Sequence, residues 1–345
     1  SILEESGYMS RVVFLMDKIM RKFGLSGKSV VPLISGTACA IPAIMATRNI
    51  ENWKERLITI LVTPFTTCSA RLPVYAIIIG LVIPDQFVFG FLNLQGLTLM
   101  LLYLIGFGMA IFSAFVLNKV LHLKCKTFFV VEMPNYKLPM FKNVAINVIE
   151  KTKAFVFGAG KIILAISVVL WFMASYGPGE KFNNAEEILL SKPENSHLPP
   201  QELKNKVAAY KLEHSYIGVM GKTIEPAISP LGYDWKIGIA IISSFAAREV
   251  FVGTLATIYS VGGSDNEDTI KNKMKSEVNL ETGNKIFNFA SGISLLLFYA
   301  FAMQCASTIA ITKKETNSWK WPLGQLVFMS GFAYIVAFFA YQILK

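Results

Sequence analysis

Long, nearly uncharged apolar stretches constrain this chain more than any other feature of its sequence. Residues 94–118 and 322–344 each exceed the ~18 mainly apolar residues that are typical of a membrane-spanning helix. The apolar runs are continuous rather than alternating, which argues against an outer-membrane barrel. Only 16% of the 345 residues are charged, against about 25% in an average soluble domain. The sequence therefore predicts an all-α, polytopic membrane protein.

The net charge of +10 is explained by the same fold class. Lys and Arg concentrate in the connections between apolar segments, as expected for loops that stay on the cytoplasmic side. The basic connection 119–153 is predicted to be one of these loops. The expected partner of the positive charge is thus the lipid bilayer, and no nucleic acid is expected.

The segment 29–47 is apolar enough to insert but contains Pro32, Gly36 and Pro42. Both of its flanks are basic, whereas a spanning helix places its two ends on opposite faces. Prolines in a continuous helix would also leave carbonyl groups unpaired in lipid. We therefore predict a broken or re-entrant segment whose backbone breaks between residues 36 and 42.

Six crossings are predicted after this segment. The first, 57–84, is too long for one straight span and should break near Thr66–Arg71, between Pro64 and Pro73. The chain is predicted to have four parts. Residues 1–56 hold an interfacial amphipathic helix over 8–23 and the first gate segment, and residues 57–153 form a membrane core with the basic connection. Residues 154–262 form a second gate region with an extramembrane insert at 178–235, and residues 263–345 form the C-terminal helices. The crossings are 57–84, 94–118, 154–176, 236–261, 286–311 and 322–344.

A short internal similarity suggests two pseudo-repeated halves. Residues 67–71 and 244–248 both place a run of small residues before an arginine inside an apolar segment. Transporters often contain two structural repeats whose broken helices meet near the middle of the bilayer. The prediction is accordingly a pair of broken gate helices, one in each half.

Four side chains in these segments could bind a metal ion. Cys39, Cys68 and Cys305 lie in three separate polar membrane segments, and Glu249 is a carboxylate inside the predicted span 236–261. A lone cysteine is most often a small buried hydrophobic residue, but an intramembrane carboxylate is a functional-site candidate. Thiolates favour soft or borderline metals, and a carboxylate adds affinity for Fe²⁺ or Mn²⁺. Together they predict a path for a divalent transition metal.

Five neighbours could support that path, namely Arg71, Arg248, Thr37, Met303 and Gln304. For Arg71, pairing with carbonyl groups freed by Pro73 is as good an explanation as a functional role. Glu249, Gly253, Thr257 and Ser260 would form a narrow stripe of small or polar residues on one helix face, which another backbone could approach.

Long blocks of the sequence resemble the membrane domain of the ferrous iron transport protein B family. They include SGYMSRVVFLMDKIMRKFGLSGKSVVPLISG, CAIPAIMATRNIENWKERLITILVTPF, CSARLPVYA and EHSYIGVMGKTIEPAISPLGYDWKIGIAIISSFAAREVFVGTLATIY. The resemblance implies iron-path thiols at Cys39, Cys68 and Cys305 and a gate carboxylate at Glu249. It also implies an N-terminal GTP-binding domain, using GTP and Mg²⁺, ahead of Ser1.

The resemblance implies Fe²⁺ uptake across a bacterial inner membrane by a multi-pass transport domain that is not itself an enzyme. Its implied partners are Fe²⁺, the bilayer, its own GTP-binding domain and small accessory proteins. The alternatives are a gate-type carrier of nucleoside-like solutes and a transporter of another divalent metal, such as Zn²⁺ or Mn²⁺. An intramembrane enzyme would need a nucleophile–base pair or a motif such as HExxH, and no histidine lies in a predicted span. A purely structural scaffold would not explain a carboxylate in a span.

Overall fold

The computed structural model describes residues 2–88, 92–121, 136, 139–191, 200–245, 248, 250–258, 287–303 and 305–345. These residues are almost entirely helical; the exception is a short antiparallel pair, β1 (Phe87–Val88) and β2 (Leu92–Asn93). The helices of the first half are α1 (Ile2–Glu5), α2 (Tyr8–Met20), α3 (Val30–Ser35), α4 (Ala40–Ala46), α5 (Trp53–Val62), α6 (Leu72–Val82), α7 (Leu94–Val120), α8 (Phe141–Phe155) and α9 (Lys161–Ser175). The all-α prediction is confirmed.

The second half begins with the predicted extramembrane insert, which is itself largely helical. Its charged run 201–214 falls almost entirely within the helix Pro200–Glu213. The helices are α10 (Glu180–Asn183), α11 (Ala185–Leu190), α12 (Pro200–Glu213), α13 (Tyr216–Ile228), α14 (Trp235–Ser244), α15 (Val250–Ile258), α16 (Phe289–Phe301), α17 (Ala306–Thr316) and α18 (Lys320–Leu344).

Five stretches of the described residues are long and apolar enough to cross a membrane. They are Trp53–Val82, Leu94–Val120, Phe141–Ser175, Phe289–Thr316 and Lys320–Leu344. The chain is therefore a multi-pass membrane protein. Two predicted limits need correction. The helical stretch predicted at 154–176 begins at Phe141, inside the predicted connection 119–153. The predicted span 286–311 is divided between α16 and α17. The predicted crossing 236–261 is divided into α14 and α15, as expected for a broken helix in the second half.

The predicted breaks at the prolines are confirmed. In 29–47, α3 ends at Ser35 and α4 begins at Ala40, so the backbone breaks within the predicted interval. In 57–84, two single 3₁₀ turns, Thr63–Phe65 and Ser69–Arg71, separate α5 from α6. Proline lacks an N–H donor and clashes with the preceding turn, which explains why regular helix ends at these positions.

The chain packs as two compact units. Unit 1 comprises Ser1–Ser69, Leu101–Ile163 and Ala306–Ser330, and unit 2 comprises Ala70–Met100, Leu164–Cys305 and Gly331–Lys345. Unit 1 has a core of isoleucines from α4, α5 and α17, namely Ile41, Ile44, Ile60 and Ile311. In unit 2, Ile217, Ile239 and Ile258 join α13, α14 and α15, and α6 packs on α16.

The N-terminus of α14 in unit 2 is capped by a buried carboxylate. Asp234 Oδ1 accepts a hydrogen bond from the Ile237 amide at 3.0 Å, and Glu225 Oε1 accepts one from the Trp235 amide at 3.2 Å. Burial raises the pKa of Asp234 to about 6, although the Ile237 amide and Lys236 act in the opposite direction. Keeping the Asp234 carboxylate ionised in the folded protein therefore lowers the free energy of unfolding.

We expect Asp234→Asn to stabilise the protein at pH 7.5. The folded-state pKa lies above the unfolded value, so the folded protein binds the proton more tightly and loses stability as the pH rises from about 4 to about 6. Asparagine caps a helix as well as aspartate does and removes a cost of up to about 3 kcal/mol. Thermal unfolding in detergent should show a gain at pH 7.5 that shrinks as the pH is lowered to 4.5. The exposed Asp85 provides the control, Asp85→Asn, which should show no such trend. A less stable Asp234→Asn protein at pH 7.5 would contradict the assignment.

Candidate functional site

The first break in unit 1 holds Cys39 at the start of α4. Its backbone is extended, with φ −157° and ψ 134°, and its thiol is half-buried. The end of α3 is closed locally: the Cys39 amide donates to the Ser35 carbonyl at 3.1 Å, and Thr37 Oγ1 donates to the Ile34 carbonyl at 2.6 Å. The hydroxyl of Thr37, a predicted path residue, is thus used to end a helix.

The second break holds Cys68, which is 5% exposed. The two breaks are joined by Ser69 Oγ, which donates to the Ala38 carbonyl at 2.8 Å. They also pack closely at Gly36, where an added Cβ would lie 2.4 Å from Thr66 Oγ1. The structure therefore brings the neighbours of Cys39 and Cys68 into contact within unit 1, as expected if both cysteines belong to one site.

The carbonyl groups at the C-terminal end of α5 are satisfied by a side chain from another helix, which the sequence pattern did not predict. Pro64 cannot donate to the Ile60 carbonyl, four residues earlier. Gln325 of α18 lies 6% exposed, and its Nε2 donates to the Leu61 carbonyl at 2.9 Å and lies 3.5 Å from the Ile60 carbonyl. A side-chain donor from a neighbouring helix is a recognised way to satisfy such carbonyls in a membrane.

In unit 2, two buried arginines converge on the C-terminal end of α16. Arg71 is 0% exposed, and its Nη1 donates to the Ala300 carbonyl at 2.9 Å. Arg248 is 4% exposed and donates through Nη2 to the carbonyls of Ala302, at 3.1 Å, and Met303, at 2.7 Å. Guanidinium groups match both the unsatisfied carbonyls and the negative end of the helix dipole. The alternative of pairing with carbonyls is supported for Arg71, but the acceptors belong to α16 instead of the helix that Pro73 interrupts.

These arginine contacts mark the unpredicted break between α16 and α17. The backbone turns extended at Ala302, with φ −60° and ψ 149°, and the break ends at Cys305, which is half-buried. Met303 is buried and takes part through its carbonyl group. Gln304, which was predicted to support the path, lies outside the described residues.

The predicted carboxylate Glu249 also lies outside the described residues, as does Ser260. The helix that follows it, α15, begins at Val250. Gly253, in the stripe that was predicted to meet another backbone, is exposed, and a Cβ there would meet no described atom within 4 Å. Because Glu249 and Ser260 lie outside the described residues, the packing of the whole stripe stays a prediction.

A second missed residue, Glu315, joins two helices of unit 1. Its side chain is 2% exposed and accepts hydrogen bonds from Arg48 Nη2 at 2.6 Å and Arg56 Nη2 at 2.8 Å. Arg48 follows α4 and Glu315 ends α17, while Ile44 and Ile311 share the core between these helices. Glu315 thus ties the end of α4 and the first turn of α5 to the last turn of α17.

Three of the four predicted metal ligands, Cys39, Cys68 and Cys305, lie within the described residues, and Glu249 does not. Cys39 and Cys68 lie in unit 1, and Cys305 belongs to unit 2. Among the described residues, no three His, Cys, Asp or Glu side chains are grouped so that they could hold a metal ion. The geometry is that of thiols placed at helix breaks, which suits transient binding better than a closed structural site.

The fold and these breaks define the class of protein: a multi-pass membrane protein built around gate segments. Residues 1–82 and 156–319 match the family described as Gate: Nucleoside recognition, and residues 99–151 match Ferrous iron transport protein B C terminus. The chain belongs to the ferrous iron transport protein B family, in agreement with the sequence resemblance.

Several curated relatives match over nearly the whole chain. An Fe(2+) transporter FeoB of Leptospira interrogans is 45% identical over 99% of this chain and 46% of its own length. A transporter of the same name from Staphylococcus aureus MSSA476 is 36% identical over 99% of this chain and 45% of its own. An Fe(2+) transport protein A/Fe(2+) transporter FeoB fusion protein of Porphyromonas gingivalis is 36% identical over 99% of this chain and 41% of its own. The chain thus spans about half the length of these relatives. No solved structure matched it.

Proposed function

We propose that this chain is the membrane-permeation part of a transporter that takes up Fe²⁺ across a bacterial inner membrane. The observation that carries the proposal is the joining of two cysteine-bearing helix breaks by the hydrogen bond from Ser69 to Ala38. Irregular backbone at membrane depth is tolerated where it is buried in protein or lines a cavity. The names of the relatives, which are Fe(2+) transporters, point to the same substrate.

The proposed ion path uses the thiols of Cys39, Cys68 and Cys305 and the carboxylate of Glu249. Cys39 directly precedes α4 and Cys305 directly precedes α17 in the sequence. The open space beside Gly253 lies on the helix that follows Glu249. A soft thiol set combined with one carboxylate suits Fe²⁺ better than Mg²⁺ or Ca²⁺.

The membrane potential can drive the movement of such an ion. An inward-moving divalent cation gains roughly 4–5 kcal/mol at about 100 mV, from ~2.3 kcal/mol per charge. Binding along the path should therefore be selective but shallow. A GTP-binding domain elsewhere in the full-length protein is proposed to gate the path, and the Porphyromonas gingivalis fusion suggests a small accessory protein as a further partner.

Uptake by proteoliposomes tests this function directly. The purified chain is reconstituted with an imposed inside-negative potential and offered Fe²⁺ kept reduced with ascorbate, or Mn²⁺, Zn²⁺ or Co²⁺. Saturable, potential-dependent Fe²⁺ uptake supports the proposal, and preferred uptake of Zn²⁺ or Mn²⁺ would reassign the metal. The description Nucleoside recognition supplies the second candidate, so uptake of labelled nucleosides without metal uptake would refute an iron path.

We expect serine substitution of the three path cysteines to reduce Fe²⁺ uptake several-fold. A hydroxyl keeps the size and polarity of the site but is a poorer ligand for a borderline metal than a thiolate. The measurement compares initial uptake rates of Cys39→Ser, Cys68→Ser, Cys305→Ser and the triple variant. Cys125→Ser is the matched control, because Cys125 lies in the basic connection. Native rates in the triple variant would rule out thiol ligation.

A further inference from the structure

The helix α2 is fixed in rotation by its inner face. Val13 and Met20 are buried, and Asp17 Oδ1 accepts a hydrogen bond from the Gly27 amide at 2.8 Å. The approach is close enough that a Cβ at Gly27 would lie 2.1 Å from the Val13 carbonyl oxygen. The side chains on the opposite face of α2 from Val13 and Asp17 therefore point away from the rest of unit 1.

The outer face of α2 carries an apolar stripe. Tyr8, Leu15 and Ile19 are 46%, 72% and 48% exposed. At about 100° per residue, they fall within about 40° of one another around the helix. Leu15, at the centre of the described helix, has most of its surface uncovered by the rest of the chain.

Cationic side chains follow one border of this stripe. Lys18 is exposed and lies about 60° from Leu15 on a helical projection, and Lys22, which is also exposed, lies in the 3₁₀ turn Arg21–Phe23 that follows α2. The one acidic residue of α2, Asp17, points inward and is paired with Arg21 at 2.6 Å. The exposed surface therefore combines apolar and positive groups without a competing negative charge from α2.

We propose that α2 lies in the plane of the membrane surface, with Tyr8, Leu15 and Ile19 inserted among acyl chains and Lys18 and Lys22 bound to anionic phospholipid headgroups. A helix with an apolar stripe bordered by lysines matches the chemistry of the interface, where hydrocarbon meets phosphate. Charge complementarity favours this occupant over an apolar protein surface, which would leave both ammonium groups without a partner.

The test places an additional tryptophan on α2 of the full chain in vesicles. Leu15→Trp reports from the apolar stripe, and Phe14→Trp is the control because Phe14 is also exposed, at 46%, but lies beyond the lysines. The added fluorescence, relative to the native chain, is quenched with brominated lipids or with aqueous acrylamide. We expect brominated lipids to quench Leu15→Trp at least twofold more than Phe14→Trp, with the opposite order for acrylamide.

The charge component is tested by lipid composition and by Lys18→Glu/Lys22→Glu in the Leu15→Trp background. In vesicles with about 30% phosphatidylglycerol, quenching of Leu15→Trp by brominated lipids should fall by about half in the double variant and also at high salt. Identical quenching with and without anionic lipid would overturn the headgroup assignment. A Leu15→Trp signal protected from both quenchers would indicate a protein cover, and quenching that changed with protein density would indicate a second copy; either result would refute the membrane anchor.

Discussion

Replacing Arg248 by methionine is expected to lower the unfolding temperature by roughly 5 °C. The guanidinium of Arg248 donates to the carbonyls of Ala302 and Met303 at the end of α16. Its Nη1 lies 3.4 Å from the carbonyl oxygen of Tyr299. Methionine fills a similar volume but donates nothing, and each buried carbonyl left without a donor costs about 1–3 kcal/mol. Removal of the buried charge recovers part of its desolvation cost, which gives a net loss of about 3 kcal/mol.

Two further variants separate hydrogen bonding from charge. Arg248→Lys keeps the cation but concentrates its donors on one nitrogen, so it should have an intermediate effect. Arg71→Met should cost less than Arg248→Met, because it removes one short hydrogen bond, to Ala300, while Ala302 keeps its shorter bond to Arg248. Lys161→Met removes an exposed cation from α9 and serves as the control. Thermal unfolding followed by intrinsic fluorescence measures all four, and an Arg248→Met protein as stable as the Lys161→Met control would show that the arginine does not hold the break.

Local sequence patterns predicted the helices and two of the breaks because their causes are local. The apolar run of α7 and the prolines around Cys39 and Cys68 act through neighbouring residues, by hydropathy in the first case and by the missing N–H in the second. The same reasoning failed between α16 and α17, where no proline is present. That break is stabilised by Arg71 and Arg248, about 230 and 50 residues away in sequence.

The residues that hold the site together were the hardest to predict. Glu315 follows two lysines and looks like an ordinary loop charge, yet its partners are Arg48 and Arg56, more than 250 residues earlier. Gln325 sits in a mainly apolar helix and reaches the carbonyls of Leu61 and Ile60, and the Ile60 carbonyl is the one that Pro64 leaves without its helical donor. An isolated polar residue within an apolar span was the available signal, but the acceptor becomes apparent only when the helices are packed.

The candidate ligands, in contrast, were chosen from chemistry rather than from contacts. Cys39 and Cys68 each adjoin one residue of the hydrogen bond between Ser69 and Ala38. No spacing rule predicts this proximity across the 29 positions that separate the two cysteines. Thr37 stays a predicted path residue, and its hydroxyl donates to the Ile34 carbonyl at the end of α3. The distinction has a physical basis: ligand types follow from side-chain chemistry, whereas the assignment of a hydroxyl requires knowledge of its nearest acceptor.

The exchange of Glu249 for glutamine is expected to reduce Fe²⁺ uptake about tenfold or more. Glutamine keeps the shape of the side chain and removes its negative charge, so a passing divalent cation loses its anionic partner on the proposed path. A loss of 1.4 kcal/mol in interaction corresponds to about tenfold in binding, and a charge pair of low solvent exposure is worth more than this.

Initial uptake rates in proteoliposomes, measured at equal protein incorporation, check this expectation. Glu249→Asp should retain part of the rate, since the charge remains while its reach shortens by one methylene group. Glu225→Gln is the matched control: it removes a carboxylate of similar size that accepts a backbone hydrogen bond near α14, away from the proposed ligands in sequence. Unchanged unfolding temperature with lost uptake assigns Glu249 to the ion path. Uptake at the native rate in Glu249→Gln would instead make the carboxylate structural, and the thiols would have to select Fe²⁺ without an anionic residue at the gate.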